Sequence, residues 1–514
     1  MIRQLDVDGV PTLLAPTSGP LRAGLVFRVG VADETLPRRG ITHLLEHLVL
    51  APLGPLEHHL NGTTETLFTS FVVQGAPADV ATFLNGVCAN LVDPPTGRLE
   101  MEKEILRVER SSRGDRALDT LPLWRHGARD HGLPGYPEFG LTSISDEDVR
   151  QWAAQWFTRQ NAVLFVAGDE VPAGLRLPLP EGARQPVPAA SSVLPTTPAY
   201  FSYGAGAVAL DAVVRRGPAA SVLAGVLERE LYRSLRQDDG LSYQVTAGYE
   251  PRHDGFATLR ALADSLPDKQ DAVLGGFVDA LATLRVGRIA PADRDAVVAR
   301  HHDGLALAEA DNGRLLRSAR DLLTGEPLRQ RDELRDELAA VTVEDLHDVA
   351  REMCASALLL VPAGLRADWA GFSAAPATSE EALTGVRHLS LQGEAELVVG
   401  TDGLSLVHEE QQVTVRYAEC AALLVWPDGA RRLIGPDAIS VHVEPHLFER
   451  PPDVAAIDAA VPEDRHVPMP ARDPELIPPP PPVLGRFARL RRSVREATSE
   501  AGAFLSVLIF DPGR

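Results

Sequence analysis

The sequence predicts an α+β protein: two duplicated α/β sandwich domains, then a small antiparallel β module, a proline-rich linker and a terminal helix. Three observations predict this class. A helix cap, a helix and an apolar strand at residues 144–168 return at residues 341–364, offset by 197 residues, which is the size of a domain. Short strands separated by Asp-Gly turns fill residues 385–448. At 514 residues, the chain is also too long for one hydrophobic core.

The predicted domain boundaries follow the repeat and the changes in composition. A proline-rich connector separates the two copies, and a second proline-rich stretch follows the β module, for which a pleckstrin-homology-like arrangement is one hypothesis. The predicted parts are a first domain at 1–190, a second at 197–370, the β module at 385–448, an extended linker at 449–485, and a basic amphipathic helix with a terminal strand at 486–514.

The net charge of −21 argues against nucleic acid as the general partner, because no basic excess is present to neutralise phosphates. The three cysteines are far apart and odd in number, which argues against a disulfide framework and a cysteine-based zinc site. The chain does not start with a basic segment followed by an apolar run, and it contains no run of 18 apolar residues. We therefore expect a cytoplasmic protein.

The first domain alternates between strand-like and helix-like patterns. Strands are predicted where β-branched and aromatic residues dominate, and helices where apolar residues recur every three or four positions. The predicted elements are strands at 9–15 and 21–31, a helix at 41–50, a hairpin at 61–73, helices at 77–95 and 98–113, a helix opening at the capping box of Ser145 and Asp148, and a buried strand at 161–169.

The helix at 41–50 carries the chemistry. It is apolar except for His43, Glu46 and His47, and the two histidines, four residues apart, fall on one face. A buried helix rarely carries three ionisable groups unless something satisfies them, and a divalent metal does so. Two imidazoles at this spacing are a pair of zinc ligands, and Glu46 is placed to take a proton from water that the metal activates. His-x-x-Glu-His is the inverted zinc-peptidase motif.

The helix at 98–113 supplies the missing carboxylates. Its inward stripe is marked by Leu99, Ile105 and Leu106, and Lys103 and Arg107 are predicted to face outward. Glu102 and Glu109 are seven residues apart on the inward stripe, where carboxylates need cations or strong donors. We assign Glu109 as the third metal ligand and Glu102 as an auxiliary carboxylate behind the ligands. The alternative is that both are surface charges on a polar helix.

The second domain lacks the histidine motif but has a marked stretch of its own. A helix ends after Arg236, Gly240 turns the chain, and a strand is predicted to begin at Tyr243. Its predicted hairpin partner covers residues 255–262.

With these parts in place, the chain resembles the M16 metallopeptidases, the family of pitrilysin and the mitochondrial processing peptidase. The resemblance covers about residues 5–370. It rests on His43, Glu46 and His47, on the two glutamates of the helix at 98–113, on Asn61, and on Arg236 with Tyr243. Glu109 follows His47 by 62 residues, a shorter spacing than is usual in the family.

The resemblance implies a zinc endopeptidase of paired α+β domains that encloses short or unfolded peptides in a chamber. We expect Zn²⁺ to be bound by His43, His47 and Glu109, with Glu46 as the general base. The resemblance also implies that Asn61 contacts substrate, and that Tyr243 and Arg236 bind substrate and stabilise the oxyanion. Because this chain holds one pair of domains, a homodimer or a heterodimer with a related subunit is expected.

A hypothesis of another class is a non-catalytic M16-like subunit that binds a peptide or holds a partner, with the β module as its adaptor. For the basic tail at 486–514, docking on a partner or on this acidic chain is favoured over contact with a membrane. The sequence does not specify the natural substrate, the type of dimer or the ligand of the β module.

Overall fold

The computed structural model describes residues 1–54, 59–113, 117–204, 206–307, 310–391, 393 and 395–480. The predicted basic helix and terminal strand at 486–514 lie outside these described residues.

The chain divides into two compact units. The first unit consists of Met1–Asp33, Ile41–Leu121 and Ser145–Ala375. The second consists of Glu34–Gly40, Pro122–Ile144 and the described residues from Pro376 to 480. Glu34–Gly40 and Pro122–Ile144 thus group with the C-terminal part of the chain, although they lie within the predicted first domain at 1–190. Nothing in the sequence pattern indicates this grouping.

The first lobe of the first unit is a six-stranded sheet with helices. Its strands are β1 (Arg3–Val7), β2 (Val10–Ala15), β3 (Leu21–Phe27), β4 (His59–Thr64), β5 (Thr69–Gly75) and β6 (Ala162–Ala167). Its helices are α1 (Ile41–Leu50), α2 (Pro77–Val92), α3 (Leu99–Arg113), α4 (Ala117–His126, whose second half falls in the second unit) and α5 (Asp146–Trp156). The sheet order is β1-β2-β6-β3-β5-β4, so β4 is an edge strand.

The second lobe repeats this arrangement. Its strands are β7 (Ala199–Tyr203), β8 (Ala207–Arg215), β9 (Val245–Pro251), β10 (Phe256–Asp264), β11 (Leu358–Pro362) and β12 (Ser373–Ala374). Its helices are α6 (Pro218–Leu231), α7 (Gln270–Arg285), α8 (Pro291–Ala306), α9 (Ala310–Leu323), α10 (Arg331–Ala340) and α11 (Val343–Ser356). The order β7-β11-β8-β10-β9 matches β2-β6-β3-β5-β4, and the parallel pairs β7–β11 and β2–β6 stand at the same place in the two sheets. The predicted fold of duplicated α+β domains is confirmed.

The capping boxes explain why the repeat could be read in the sequence. Ser145 caps α5 with Asp148, as predicted, and Thr342 caps α11 with Asp345. In each case, the side chain of the cap accepts a hydrogen bond from the third helical residue, whose carboxylate accepts one from the backbone of the cap. Both helices lead into a fully buried strand, β6 or β11.

Helix α9 of the second lobe packs on the sheet of the first lobe. Leu315, Ala319 and Leu323 are buried there in one hydrophobic core with Val163 and Phe165 of β6. This contact buries an apolar stripe of α9 at a spacing of three to four residues, which is the arrangement of a helix seated on a sheet. The two lobes therefore share a core.

A polar cluster continues this contact at the tip of the β4–β5 hairpin. The ring of Phe68 meets the ring of His253 edge to face, with centroids 5.1 Å apart. The side chain of His253 is 5% exposed, and its Nδ1 lies 3.1 Å from the hydroxyl of Thr324. Burial, with the nearby Arg216, lowers the pKa of His253 to about 4, although Asp321 acts in the opposite direction.

This histidine should make the protein less stable as the pH falls from about 6.5 to about 4. The unfolded chain takes up the proton near pH 6.5 and the folded protein does not, so the contribution of His253 is complete above that range. As the pH falls from about 6.5 to about 4, this contribution is lost, and the free energy of unfolding decreases by up to about 3 kcal/mol. Asparagine tolerates the local φ of 60° and does not titrate in this range. The variant His253→Asn should therefore flatten the pH dependence of the free energy of urea unfolding. An unchanged pH dependence would contradict this assignment.

The second unit contains two four-stranded sheets. Their strands are β13 (Val386–Leu389), β14 (Ala395–Val399), β15 (Gly403–His408), β16 (Gln411–Arg416), β17 (Ala422–Val425), β18 (Arg431–Ile434), β19 (Ser440–Val443) and β20 (His466–Pro468). One core joins side chains of both sheets, and Ile457 of α12 (Val454–Ala460) packs into it. Helix α12 and strand β20 interrupt the segment 449–485, which the proline content had predicted to be an extended linker. The pleckstrin-homology-like arrangement stays a prediction.

Over the described residues, no helix is both long enough and apolar enough to span a membrane.

Candidate metal centre

Helix α1 presents its polar residues together because its apolar residues fix its orientation. Ile41, Leu44 and Leu45, with Leu48 and Val49, are completely buried. Each buried aliphatic side chain contributes about 1.5–3 kcal/mol relative to an exposed one, which fixes the rotation of the helix about its axis. The rings of His43 and His47, one turn apart, lie with centroids 4.9 Å from each other.

Helix α3 brings Glu109 to the two histidines. Its Oε2 lies 3.6 Å from Nε2 of His47 and 4.0 Å from Nε2 of His43. Among the described residues, these three form a group of donors close enough to hold a metal ion, with all ligand atoms within 4.8 Å of one another. Ligands of a tetrahedral zinc ion with bonds of about 2.1 Å lie roughly 3.4 Å apart, so two imidazole nitrogens and one carboxylate oxygen at these distances fit Zn²⁺.

Glu102 contacts the other nitrogen of His47. Its Oε2 lies 3.4 Å from Nδ1 of His47, and its Oε1 accepts a hydrogen bond of 3.0 Å from Nε of Arg98. The side chain is almost completely buried. A carboxylate on the far nitrogen of a ligating imidazole fixes the tautomer and the orientation of the ring. Glu102 thus lies behind His47, and its role as an auxiliary carboxylate stays a prediction.

Glu46 lies beside the histidines and is 5% exposed. The hydroxyl of Thr64, at the end of β4, donates a hydrogen bond of 2.7 Å to Oε2 of Glu46. Burial raises the pKa of the Glu46 carboxyl, while His43 and the Thr64 hydroxyl act in the opposite direction. Gly62 leaves the space that the carboxylate occupies, because a Cβ there would lie 2.4 Å from Oε1 of Glu46.

For two residues of α3, the prediction of which side chains face the core was wrong. Ile105 was predicted to face inward but is 42% exposed, and Lys103 was predicted to face outward but is buried. The Nζ of Lys103 donates a hydrogen bond of 2.7 Å to Glu100, so the ammonium is paired. A helix with so few apolar residues does not define its buried stripe by periodicity alone.

Arg236 and Tyr243 lie together in the second lobe. Arg236 belongs to a π-helical segment, Tyr232–Asp238, that continues α6, and its guanidinium carbon lies 5.2 Å from the centre of the Tyr243 ring and 5.1 Å from that of Tyr232. Tyr243 is 80% exposed. It precedes β9, which begins at Val245, so the prediction that the strand starts at Tyr243 was wrong by two residues.

The turn that carries Tyr243 is held by Asp264. One oxygen, Oδ1, accepts hydrogen bonds from the hydroxyl of Ser242 and from the backbone N–H groups of Tyr243 and Gln244, at 2.6–2.8 Å. Burial alone would raise the pKa of Asp264, but these hydrogen bonds hold it below its usual value. The carboxylate therefore fixes the backbone on which the tyrosine is mounted.

Asn61 lies on the edge strand β4, next to the metal site, with an exposed side chain. Its Nδ2 lies 3.4 Å from the hydroxyl of Thr63. In the described part of the chain, β4 pairs on one side only, with β5.

No protein-family model matches the chain. In sequence, the chain is similar to the uncharacterized zinc protease YmxG of Bacillus subtilis (strain 168), with 22% identity over 385 residues, covering 66% of this chain and 91% of the relative.

Proteases and peptidase domains are also among the solved structures that the chain resembles. The chain is similar to a protease from Helicobacter pylori, with a TM-score of 0.61 and 15% identity over 71% of this chain and 99% of that one. It is also similar to the inactive domain of an M16 peptidase from Pseudomonas fluorescens, with a TM-score of 0.60 and 13% identity over 71% and 98%. The fold of the chain is M16-like. The chain is also similar to the first half of the periplasmic protease PqqL from Escherichia coli, with a TM-score of 0.57 and 14% identity over 72% of this chain and 93% of that one.

The resemblance that the sequence indicated is thus confirmed in the fold, and the sequence relative is likewise called a zinc protease. The short spacing of 62 residues from His47 to Glu109 does not keep them apart, since α3 returns to α1 after β4, β5 and α2.

Sequence reasoning missed Thr64, Gly62 and Arg98. The first two had a usable signal, because residues two apart in a strand share a face and a glycine there indicates a close approach. Arg98 had none, since an arginine four residues before a glutamate is common on exposed helices.

Proposed function

We propose that this protein is a zinc-dependent endopeptidase that cleaves short or unfolded peptides. The observation that carries the proposal is the placement of three metal donors, His43, His47 and Glu109, beside the buried carboxylate of Glu46. Three protein ligands leave one position of a tetrahedral ion open, which is typical of catalytic rather than structural zinc sites.

The residues of the site then take separate roles. When bound, Zn²⁺ supplies a Lewis acid that acidifies water and polarises a peptide carbonyl. Glu46 accepts the proton of the attacking water and returns it to the amine nitrogen of the leaving peptide. Glu102 holds the ring of His47 through Nδ1, so that Nε2 stays directed at the metal.

The second lobe contributes to the transition state in this proposal. The hydroxyl of Tyr243 donates a hydrogen bond to the oxyanion that forms at the scissile carbonyl. Arg236 lies over the face of that ring, and a cation in this position makes the phenol a stronger donor. Both residues also contact substrate.

The edge strand β4 supports a mode of substrate binding. An extended peptide can add to this edge through main-chain hydrogen bonds, beside Asn61, which recognises shape and extension more than sequence. Because the chain has one pair of lobes, we propose that two chains, in a homodimer or with a related M16-like subunit, enclose the substrate. We further propose a cytoplasmic location.

The test combines metal analysis with hydrolysis. The purified protein should contain about one zinc per chain and cleave an unstructured peptide library but not a folded protein. A chelator such as 1,10-phenanthroline should stop cleavage, and added Zn²⁺ should restore it. Zinc binding without any cleavage would instead favour the non-catalytic subunit, and absence of zinc affinity would overturn both the metal site and the activity.

A further inference from the structure

The turn between β4 and β5 connects the proposed base to the second lobe. Thr64, whose hydroxyl donates a hydrogen bond to Glu46, is the last residue of β4. Glu65 follows directly, and Phe68 closes the turn by accepting a hydrogen bond of 2.8 Å from the backbone N–H of Glu65. Any displacement of this turn therefore moves the hydroxyl that holds the carboxylate of Glu46.

The first lobe holds the turn by its backbone. The N–H groups of Val31 and Ala32 donate to the carbonyls of Glu65 and Thr66, at 2.9 and 2.8 Å. The guanidinium of Arg28, which is completely buried, donates to the carbonyl of Leu67 at 3.0 Å. The approach is so close that a Cβ on Gly30 would lie 2.4 Å from the carbonyl oxygen of Glu65.

The second lobe holds the same turn by its side chains. Arg320 of α9 donates a hydrogen bond of 2.6 Å to Oε1 of Glu65, and its guanidinium carbon lies 5.5 Å from the centre of the Phe68 ring. His253, also of the second lobe, contacts the same ring edge to face. Arg320 is itself fixed because its neighbours on α9, Ala319 and Leu323, are buried in the core shared with the first-lobe sheet.

We propose that Thr64 is a positioning residue for the catalytic base Glu46, and that the second lobe keeps it in place through the contact of Arg320 with Glu65. This inference rests on the proposed peptidase function. On this inference, the second lobe, which lacks the histidine motif, has two roles. It carries Arg236 and Tyr243, and it sets the orientation of the base. A hydrogen bond of 2.7 Å to the carboxylate holds one rotamer of a side chain that would otherwise have several.

The first experiment compares Thr64→Val with Thr64→Ser. Valine keeps the size and the β-branching of threonine but removes the hydroxyl, and should lower kcat roughly 10- to 100-fold, the equivalent of one hydrogen bond to a charged group. KM and zinc content should stay within about twofold of those of the unchanged protein. Serine keeps the hydroxyl and should restore kcat to within about threefold. A Thr64→Val protein with unchanged kcat, or a Thr64→Ser protein as slow as the valine variant, would overturn the assignment.

The second experiment is a double-mutant cycle with Arg320→Gln. Alone, this variant should lower kcat by roughly 3- to 10-fold, and in the Thr64→Val background it should have little further effect. Arg329→Gln is the matched control, because it breaks an ion pair with Glu337 in the same lobe, at 2.7 Å and outside the turn. Equal losses from Arg320→Gln in both backgrounds would show that Arg320 acts by another route and overturn the coupling.

A readout without hydrolysis separates this inference from the proposed function. Crystal structures of the zinc-free protein and of its Thr64→Val variant should show the Glu46 carboxylate directed at β4 in the first and turned away in the second. If the unchanged protein does not cleave peptides, the proposed function fails, while the rotamer of Glu46 still decides the role of Thr64. An unchanged rotamer in the variant overturns that role.

Discussion

Replacing Glu46 with glutamine should abolish peptide hydrolysis while zinc remains bound. Glutamine has the same shape and keeps an oxygen that accepts the hydrogen bond from Thr64, so the space against Gly62 stays filled. It cannot take up a proton, and loss of a positioned general base lowers the rate by about 10²- to 10⁴-fold. The measurement is kcat on an unstructured peptide, together with zinc content per chain.

The control for this variant is Glu104→Gln, which removes an exposed carboxylate of α3 that pairs with Arg107 at 3.0 Å. It should leave kcat unchanged, since a surface ion pair contributes about 1 kcal/mol or less to stability and this one touches no part of the metal site. Full activity in Glu46→Gln would remove Glu46 from the role of base.

Removing the carboxylate ligand should give the largest loss of metal. In Glu109→Gln, a neutral amide oxygen replaces the anionic donor near His43 and His47, and zinc affinity should fall on the order of a thousandfold, about one ligand's share of the total binding energy. Glu102→Gln changes only the partner of Nδ1 of His47 and should lower the affinity by about 10- to 100-fold. Competition with a chromogenic chelator measures both.

Glu104→Gln again serves as the control on the same helix, with no expected change in affinity. The graded order is the decisive result, because a helix that merely carried surface charges would respond equally at all three positions. If Glu102→Gln lost more zinc than Glu109→Gln, the assignments of ligand and supporting carboxylate would have to be exchanged.

The parts of the fold that could be predicted are those set by local pattern. The apolar surroundings of His43 and His47 predicted a buried helix with both imidazoles on one face, because a period of 3.6 residues is fixed by the backbone. The capping boxes at Ser145 and Thr342 marked the repeat, since satisfying the first N–H groups of a helix needs particular side chains at fixed offsets. The strand β1 was missed because Arg3–Val7 is largely exposed and carries little apolar pattern.

The sequence by itself determined which residue types are available for a metal and that the duplicated pattern specifies two similar lobes. Only the tertiary structure decided which groups meet. It brings Glu109 to His47 across 62 residues, directs the hydroxyl of Thr64 at Glu46, and seats α9 of one lobe on the sheet of the other. The physical reason is that spacing along a helix or strand is fixed locally, whereas distances between elements depend on how their apolar faces pack, which no short window of sequence contains.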